Sequence, residues 1–270
     1  MKIYDCFLFN DENHILEIRI NELIGSVDYF VIIEFGENHQ GKRKGQCIDQ
    51  NLLKKFKEKI RYYYFDKFDP KMSVWQKENY QRNKINEGLK DANSLDIIII
   101  SDVDEIPNLK KINLSKINDQ VIAFSQLNSM YKFNLFREDK NWIGSKLCLK
   151  KNLVSPQWLR ALKVRKKYSF FRIDKIFSDT YYKNFLIIEN GGWHFAWLRT
   201  ADQILKKINA YAHTELNTPE NNNIDYIEKC IQKKIVFFNK SEKLTYKKLN
   251  HLSLPKFVAD NIERYSQWIL

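Results

Sequence analysis

The chain has 270 residues, of which 44% are hydrophobic and 29% are charged, and its formal net charge is +12. These values predict a folded protein with a sizeable core and exclude a disordered chain. The four cysteines lie far apart without a C-x-x-C pair, so we expect reduced thiols in a cytosolic chain and no zinc site. No stretch approaches the roughly 18 apolar residues that a membrane span needs.

The first hundred residues alternate between strand and helix patterns. Apolar runs rich in β-branched and aromatic residues predict strands, and the segments between them have helical periodicity. The predicted strands are 2–9, 28–35, 60–66 and 95–101, and the predicted helices are 11–25 and 73–90, with a helical connection between the second and third strands. This order is typical of an α/β fold with a Rossmann-like, mostly parallel sheet flanked by helices.

The second half of the chain has a different pattern. Residues 120–136 predict mixed or antiparallel sheet, and residues 185–198 predict a strand broken by Gly191 and Gly192. From Thr200 onward the pattern is helical, most clearly over 200–216. No linker separates two units, so we expect one domain over 1–270 with two lobes, 1–107 and 108–270.

The segment LDIIIISDVDEIPN, residues 95–108, joins the most apolar strand to its most acidic turn. In an open α/β sheet, ligands bind at the carboxyl ends of the strands, where Asp102 and Asp104 are expected. On an extended backbone both carboxylates would point to one side, and hard oxygen ligands suit Mg²⁺ or Mn²⁺ shared with a diphosphate. Two simpler interpretations are a chance Asp-x-Asp triplet and an acidic turn that caps the next helix.

The positive charge has more than one interpretation. It could be a solvated basic surface, or it could attract an anionic partner. No zinc-finger, RNA-binding or zipper pattern accompanies the basic runs, so no nucleic-acid partner is expected. A peripheral contact with an anionic membrane stays possible through Arg165, Lys166 and Lys167.

Several blocks resemble glycosyltransferase family 17, which contains β-1,4-mannosyl-glycoprotein 4-β-N-acetylglucosaminyltransferases together with bacterial and viral relatives. The blocks occur in order and span residues 3 to about 216. They are IYDCFLFNDENHILEIRINEL (3–23), VDYFVIIE (27–34), QRN (81–83), DIIIISDVDEIP (96–107) and GGWHF (191–195).

This resemblance implies a GT-A fold, a nucleotide-sugar donor such as UDP-N-acetylglucosamine, and transfer with inversion at the anomeric carbon. It also implies a Mn²⁺ or Mg²⁺ ion bound through Asp104 and Asp102. Animal members carry a membrane anchor and a lumenal stem before the catalytic strands. Here the first predicted strand begins near residue 3, so we expect a bacterial or viral type of enzyme, cytoplasmic or at the inner face of the membrane, that builds a polysaccharide or a lipid-linked glycan.

Other residues are candidates for donor, acceptor or proton-transfer roles, and each could instead be an ordinary core or surface residue. Phe7, Asn10 and Glu34 end strands where a base and ribose would bind, and Arg82 could clamp a diphosphate. His194 is a candidate third metal ligand, and Trp193 offers a flat face to an acceptor sugar. The general-base candidates are Glu215, Asp174 and Glu189, and Arg19 could pair with a carboxylate of the site.

Two other functions use the same features. A metal-dependent phosphohydrolase would use the same acids on nucleotide sugars with water as the nucleophile. A non-catalytic module would bind glycans or anionic surfaces through its aromatic and basic residues. The inverting, metal-dependent glycosyltransferase is the favoured prediction because it also accounts for the family blocks.

Overall fold

The computed structural model describes residues 1–137, 141–163, 185–210, 214–250 and 253–270. Its strands are Ile3–Phe9 (β1), Tyr29–Phe35 (β2), Ile60–Phe65 (β3), Ile97–Asp102 (β4), Glu105–Pro107 (β5), Val121–Met130 (β6), Leu135–Phe136 (β7), Trp142–Leu149 (β8), Phe185–Ile188 (β9), Gly192–Ala196 (β10), Ile235–Val236 (β11), Asn239–Lys243 (β12) and Thr245–Tyr246 (β13). The α-helices are Asn13–Leu23 (α1), Gln50–Lys55 (α2), Val74–Asn83 (α3), Pro156–Ala161 (α4), Ala201–Ile208 (α5), Ile224–Lys233 (α6) and Lys256–Asp260 (α7).

The N-terminal half forms a parallel sheet in the order β3-β2-β1-β4. Strand β4 lies between β1 and the antiparallel strand β8, and Ile97, Ile98, Ile99 and Ile100 are all fully buried. Burial on both faces explains the unbroken apolar run, as expected for a central strand. The predicted α/β pattern of the first hundred residues is confirmed, with a 3₁₀ turn at Lys84–Leu89 ending the second predicted helix.

The second half adds mixed sheet. Strand β6 pairs antiparallel with β7 and β8 and parallel with β9 and β10. Strand β10 also pairs antiparallel with β5, which places His194 opposite Glu105. Gly192 is required at this crossing, because a Cβ there would lie 2.2 Å from the carbonyl oxygen of Ile106 and its φ is +141°. The predicted break at Gly191 and Gly192 is therefore real and lets two backbones approach closely.

The prediction that the chain is helical from Thr200 onward is only partly correct. Helices α5, α6 and α7 form, but β11 and β12 make a two-stranded sheet and β13 adds to β7. Helix α6 ends at Lys233, and the next residue, Lys234, takes a left-handed conformation with φ of 55° that turns the chain into β11. The apolar residues that follow, Val236 and Phe237, are then buried. Within the described part of the chain, no helix combines the length and apolarity needed to cross a membrane.

Candidate active site

A cavity of about 570 Å³ lies beside the carboxyl ends of β1 and β4, the place expected for a ligand in an open α/β sheet. It is lined by six carboxylates against four cationic side chains, together with histidines, aromatic rings and amides. The carboxylates are Glu12, Glu78, Asp102, Asp104, Glu105 and Glu215, and the cations are Arg82, Arg137, Arg160 and Lys207. Both lobes of the chain contribute.

Asp102 ends β4 and is held by two arginines from different helices. Arg82 of α3 lies 3.1 Å from its Oδ1 atom, and Arg160 of α4 lies 2.7 Å from its Oδ2 atom. Burial alone would raise the pKa of Asp102, but Arg160 and Arg82 outweigh it and hold this pKa well below its usual range. Asp102 is therefore an anion whose two oxygen atoms are already paired with guanidinium groups.

Asp104 has different neighbours because β4 ends at Asp102 and residues 103–104 form a turn. Its Oδ1 atom lies 4.0 Å from Nε2 of His194, and its Oδ2 atom lies 3.7 Å from Nζ of Lys207. Burial, with the nearby Glu12, Glu105 and Asp102, raises the pKa of Asp104 to about 7 against the opposing effect of Lys207. The sequence predicted an extended Asp-x-Asp segment, but a turn is found instead. Because of this turn, the two carboxylates have different charged partners.

His194 is kept neutral by its surroundings. Burial and the positive charge of Lys207 lower the pKa of His194 to about 3. Its ring stacks on Trp142, with centroids 4.8 Å apart, and the buried Nδ1 atom has no hydrogen-bond partner among the described residues. A neutral imidazole is the form that binds a metal ion.

Lys207 reaches the cavity from α5, a helix that begins with a capping box at Thr200. Its ammonium group lies 2.8 Å from Glu12 and 5.2 Å from the ring centre of Trp197. Arg199 lies 3.2 Å from the same carboxylate, and these two cations lower the pKa of Glu12 to about 2 although burial opposes them. Glu12 therefore anchors Lys207 next to Asp104.

Glu105 connects the acidic turn to the rim of the cavity. Its side chain is 1% exposed and lies 2.9 Å from Arg160. It accepts hydrogen bonds from the backbone N–H of Asp102 and from the indole N–H of Trp142. Burial raises the pKa of Glu105 despite Arg160. Trp142 itself is 37% exposed and turns an aromatic surface toward the cavity.

Beneath the turn lies Arg19, which is fully buried in α1. It donates to both carboxylate oxygens of Asp5 and to the hydroxyl of Ser101. It also donates to the backbone carbonyls of Asp102, Val103 and Glu105 at 2.9, 3.2 and 2.8 Å. This arginine therefore holds the backbone of the acidic turn rather than a carboxylate at the cavity surface.

The side chains of this cavity can hold a divalent metal ion only if the bound substrate supplies further oxygen atoms to coordinate it. Among the described residues, no three His, Cys, Asp or Glu side chains are arranged to hold a metal. Asp104 nevertheless offers a carboxylate oxygen next to the neutral His194, and Mg²⁺ is commonly held by one or two carboxylates plus substrate phosphates. The excess of carboxylates in the cavity favours an added cation when a diphosphate enters.

Six of the twelve candidate site residues line this one cavity. They are Asn10, Arg82, Asp102, Asp104, His194 and Glu215. Phe7 lies outside it, buried in the core with the guanidinium of Arg19 4.4 Å from its ring centre. Glu34 is also outside and buried, where it accepts from Lys44, the Cys47 N–H and the Tyr62 hydroxyl.

Trp193 lines a second cavity of about 420 Å³, not the one that holds His194. The two residues are consecutive on β10, and successive side chains of a strand point to opposite faces of a sheet. Glu189 is exposed and does not line the first cavity. Asp174, Arg165, Lys166 and Lys167 lie outside the described residues.

Sequence reasoning missed several residues that complete the site. Arg160, Trp142, Lys207 and Trp197 come from segments that carried no motif, and Glu12 lies within the 3–23 block but was not singled out there. One local signal was available, because Trp197 lies two residues after the end of the GGWHF block. It has a left-handed φ of 54°, which is rare for a large side chain and tends to mark functional sites.

Comparison with known proteins shows the family of the chain. It belongs to glycosyltransferase family 17, whose model matches residues 1–267. It is similar to the β-1,4-mannosyl-glycoprotein 4-β-N-acetylglucosaminyltransferases of Rattus norvegicus and Homo sapiens, each 26% identical over 146 residues. The matched segment is 49% of this chain and 27% of each relative, so the chain aligns with only about a quarter of their length.

Proposed function

We propose that this protein is an inverting, metal-dependent glycosyltransferase that moves N-acetylglucosamine from UDP-N-acetylglucosamine to a glycan or lipid-linked glycan. The observation that carries the proposal is the arrangement around the acidic turn. Asp102 contacts two arginines, while Asp104 lies near His194 and Lys207 in the same cavity and has no arginine ion pair among the described residues. The names of the relatives support the choice of sugar.

In the proposed reaction, an acceptor hydroxyl oxygen forms a bond to the anomeric carbon as the bond from that carbon to the diphosphate oxygen breaks. Arg82 and Arg160 would face the departing nucleoside diphosphate and stabilise its charge. Asp102 would orient both guanidinium groups, since each of its oxygen atoms already contacts one of them. Nucleoside diphosphate and the new glycoside are the products.

Asp104 and His194 would hold Mn²⁺ or Mg²⁺, which supplies Lewis-acid neutralisation of the diphosphate. Glu215 is the proposed base that takes the proton of the acceptor hydroxyl, because it is an exposed carboxylate at the cavity wall in the second lobe. Asn10, at the end of β1, would contact the nucleoside.

The test is release of UDP from UDP-N-acetylglucosamine with a panel of glycan acceptors, with Mn²⁺ and after chelation. We expect acceptor-stimulated release that needs the metal, and a product of inverted anomeric configuration by proton NMR. Asp104→Asn should abolish it, whereas Asp202→Asn, at an exposed helix position, should not. Equal release by Asp104→Asn, or hydrolysis that no acceptor stimulates, would contradict the proposal.

A further inference from the structure

Lys207, the cation next to Asp104, affects the binding of a metal ion to that carboxylate. The ammonium group of Lys207 is 3.7 Å from Asp104 Oδ2, close enough to neutralise part of that carboxylate. An ion bound by Asp104 and His194 would therefore sit within a few ångströms of a fixed positive charge. Like charges at that separation repel strongly in a site of reduced dielectric constant.

Lys207 also has reasons to stay where it is. Its 2.8 Å contact with Glu12 does not involve Asp104, and Arg199 fixes Glu12 in turn. The indole of Trp197 covers the ammonium group on another side, and only 14% of the Lys207 side chain is exposed. These contacts keep the ammonium group of Lys207 in place, so it would repel an ion bound at Asp104 instead of moving into solvent.

We infer that Lys207 makes the empty site reject divalent metal ions and admit them together with the nucleoside diphosphate. This inference rests on the proposed function, since it takes the diphosphate as the ligand. Glu12, Asp102 and Glu105 are already paired with cations of the protein, so the phosphate oxygens bring the further negative charge that an ion beside Lys207 requires. Metal and nucleotide then strengthen each other's binding by the same factor, as linkage requires.

The experiment is a titration of the full chain with Mn²⁺, in which electron paramagnetic resonance reports the free ion, with and without UDP. The unchanged protein should bind Mn²⁺ weakly alone and more tightly with UDP. Lys207→Met should bind Mn²⁺ alone at least about tenfold more tightly than the unchanged protein, with a smaller gain from UDP.

Lys206→Met is the matched control. Lys206 is the preceding residue of α5, is 72% exposed and pairs with Asp202 on the helix surface. It should leave Mn²⁺ binding unchanged. If Lys207→Met is poorly folded, Lys207→Gln removes the same charge and gives the same comparison.

Two outcomes overturn the inference, and they are distinguishable. If the unchanged protein binds Mn²⁺ with UDP but Lys207→Met binds it alone no more tightly than Lys206→Met, the inference alone is wrong. If the unchanged protein binds no Mn²⁺ even with UDP, the inference and the metal-dependent part of the proposed function are both wrong.

Discussion

The guanidinium of Arg19 donates a 2.9 Å hydrogen bond to the backbone carbonyl of Asp102, a residue 83 positions further along the chain. The same side chain holds two more carbonyls of the acidic turn and both oxygen atoms of Asp5. Because Arg19 is fully buried, water cannot replace any of these contacts. The backbone of the turn is therefore held from inside the protein, in addition to the contacts that Arg82 and Arg160 make with the Asp102 side chain at the cavity.

Replacing Arg19 with Lys should lower both stability and activity. A lysine keeps the charge but cannot reach Asp5 and three carbonyls at once, which leaves buried polar groups unpaired. We expect a loss of about 2 to 4 kcal/mol in the free energy of unfolding, measured in urea. Activity per folded molecule should fall as well, because the turn that carries Asp102 and Asp104 loses its support.

Arg264→Lys is the control for that experiment, since Arg264 pairs with Glu17 at 2.7 Å but is 60% exposed. Exposed pairs contribute little, so its stability should change by less than about 1 kcal/mol. Equal stability and activity of Arg19→Lys and Arg264→Lys would show that the buried network does not position the turn.

Asp104→Asn should stabilise the protein near pH 8 while abolishing transfer. The pKa of Asp104 is raised to about 7 in the folded protein and is about 3.9 in an unfolded chain, so the folded protein binds more protons between these values. Stability attributable to this group therefore falls as pH rises from about 4 to 7. At pH 8 the variant should gain about 1 to 3 kcal/mol in urea unfolding, and near pH 4 it should gain nothing.

Asp202→Asn provides the comparison, because Asp202 is 56% exposed and pairs with Lys206 on the helix surface. It should show neither the stability gain nor its pH dependence. A variant Asp104→Asn that is less stable than the unchanged protein at pH 8 would mean that the buried carboxylate is already well compensated.

Trp142→Ala should raise the KM for the acceptor by about tenfold, since a partly exposed indole at the cavity rim is suited to stacking on a sugar ring. Trp142→Phe should raise it less, because a ring remains to stack on His194 while the N–H that Glu105 accepts is lost. Initial rates at varied acceptor concentration give the KM of each variant.

Trp75→Ala is the control for this experiment, because Trp75 is 50% exposed and does not line the cavity. An equal increase in KM for Trp75→Ala would show that Trp142 has no specific role in acceptor binding.

The titration of Lys146 should increase the free energy of unfolding as pH rises from 7 to 8.5. This lysine is 2% exposed and donates to the carbonyl of Arg160 at 2.7 Å. Burial and the nearby Arg160 lower the pKa of Lys146 to about 7, whereas it is about 10.4 in an unfolded chain. Between these values the unfolded chain binds more protons, so the free energy of unfolding increases with pH.

The expected gain is about 1 to 2 kcal/mol over that interval, and Lys146→Met should lose it. Urea unfolding at pH 7 and 8.5 measures the difference. Lys151→Met, at a 42% exposed lysine paired with Asp119, should keep the pH dependence of the unchanged protein. A slope that survives Lys146→Met would assign it to another group.

Local patterns were enough to predict the parallel half of the sheet and the acidic turn at its edge. All four isoleucines of β4 are buried, and a continuous apolar run predicts such a strand without knowledge of the strands that pair with it. The sequence could not show that Asp102 and Asp104 have separate partners. That separation depends on Arg160 and Lys207, which reach the turn from helices far along the chain.

Trp193 illustrates the other limit. Its block was expected near the site, and His194 of that block lines the cavity, but one residue of offset on a strand decides which face a side chain occupies. His194 faces the cavity and Trp193 faces away from it, while Trp142, from a segment without a motif, provides the exposed aromatic surface. Which residues of a strand face a cavity depends on how that strand pairs with its neighbours, and for β10 these are β5 and β6.

The cavity takes residues from Leu8, in the first strand, to Phe238, more than 200 positions further along the chain. Contacts between such distant positions form late, since a long loop must close before they stabilise anything. We therefore expect the N-terminal lobe to regain its secondary structure before the cavity exists, and catalytic activity to be the last property recovered during refolding. For a nascent chain, this means that the ribosome must release residues up to Phe238 before the cavity is complete.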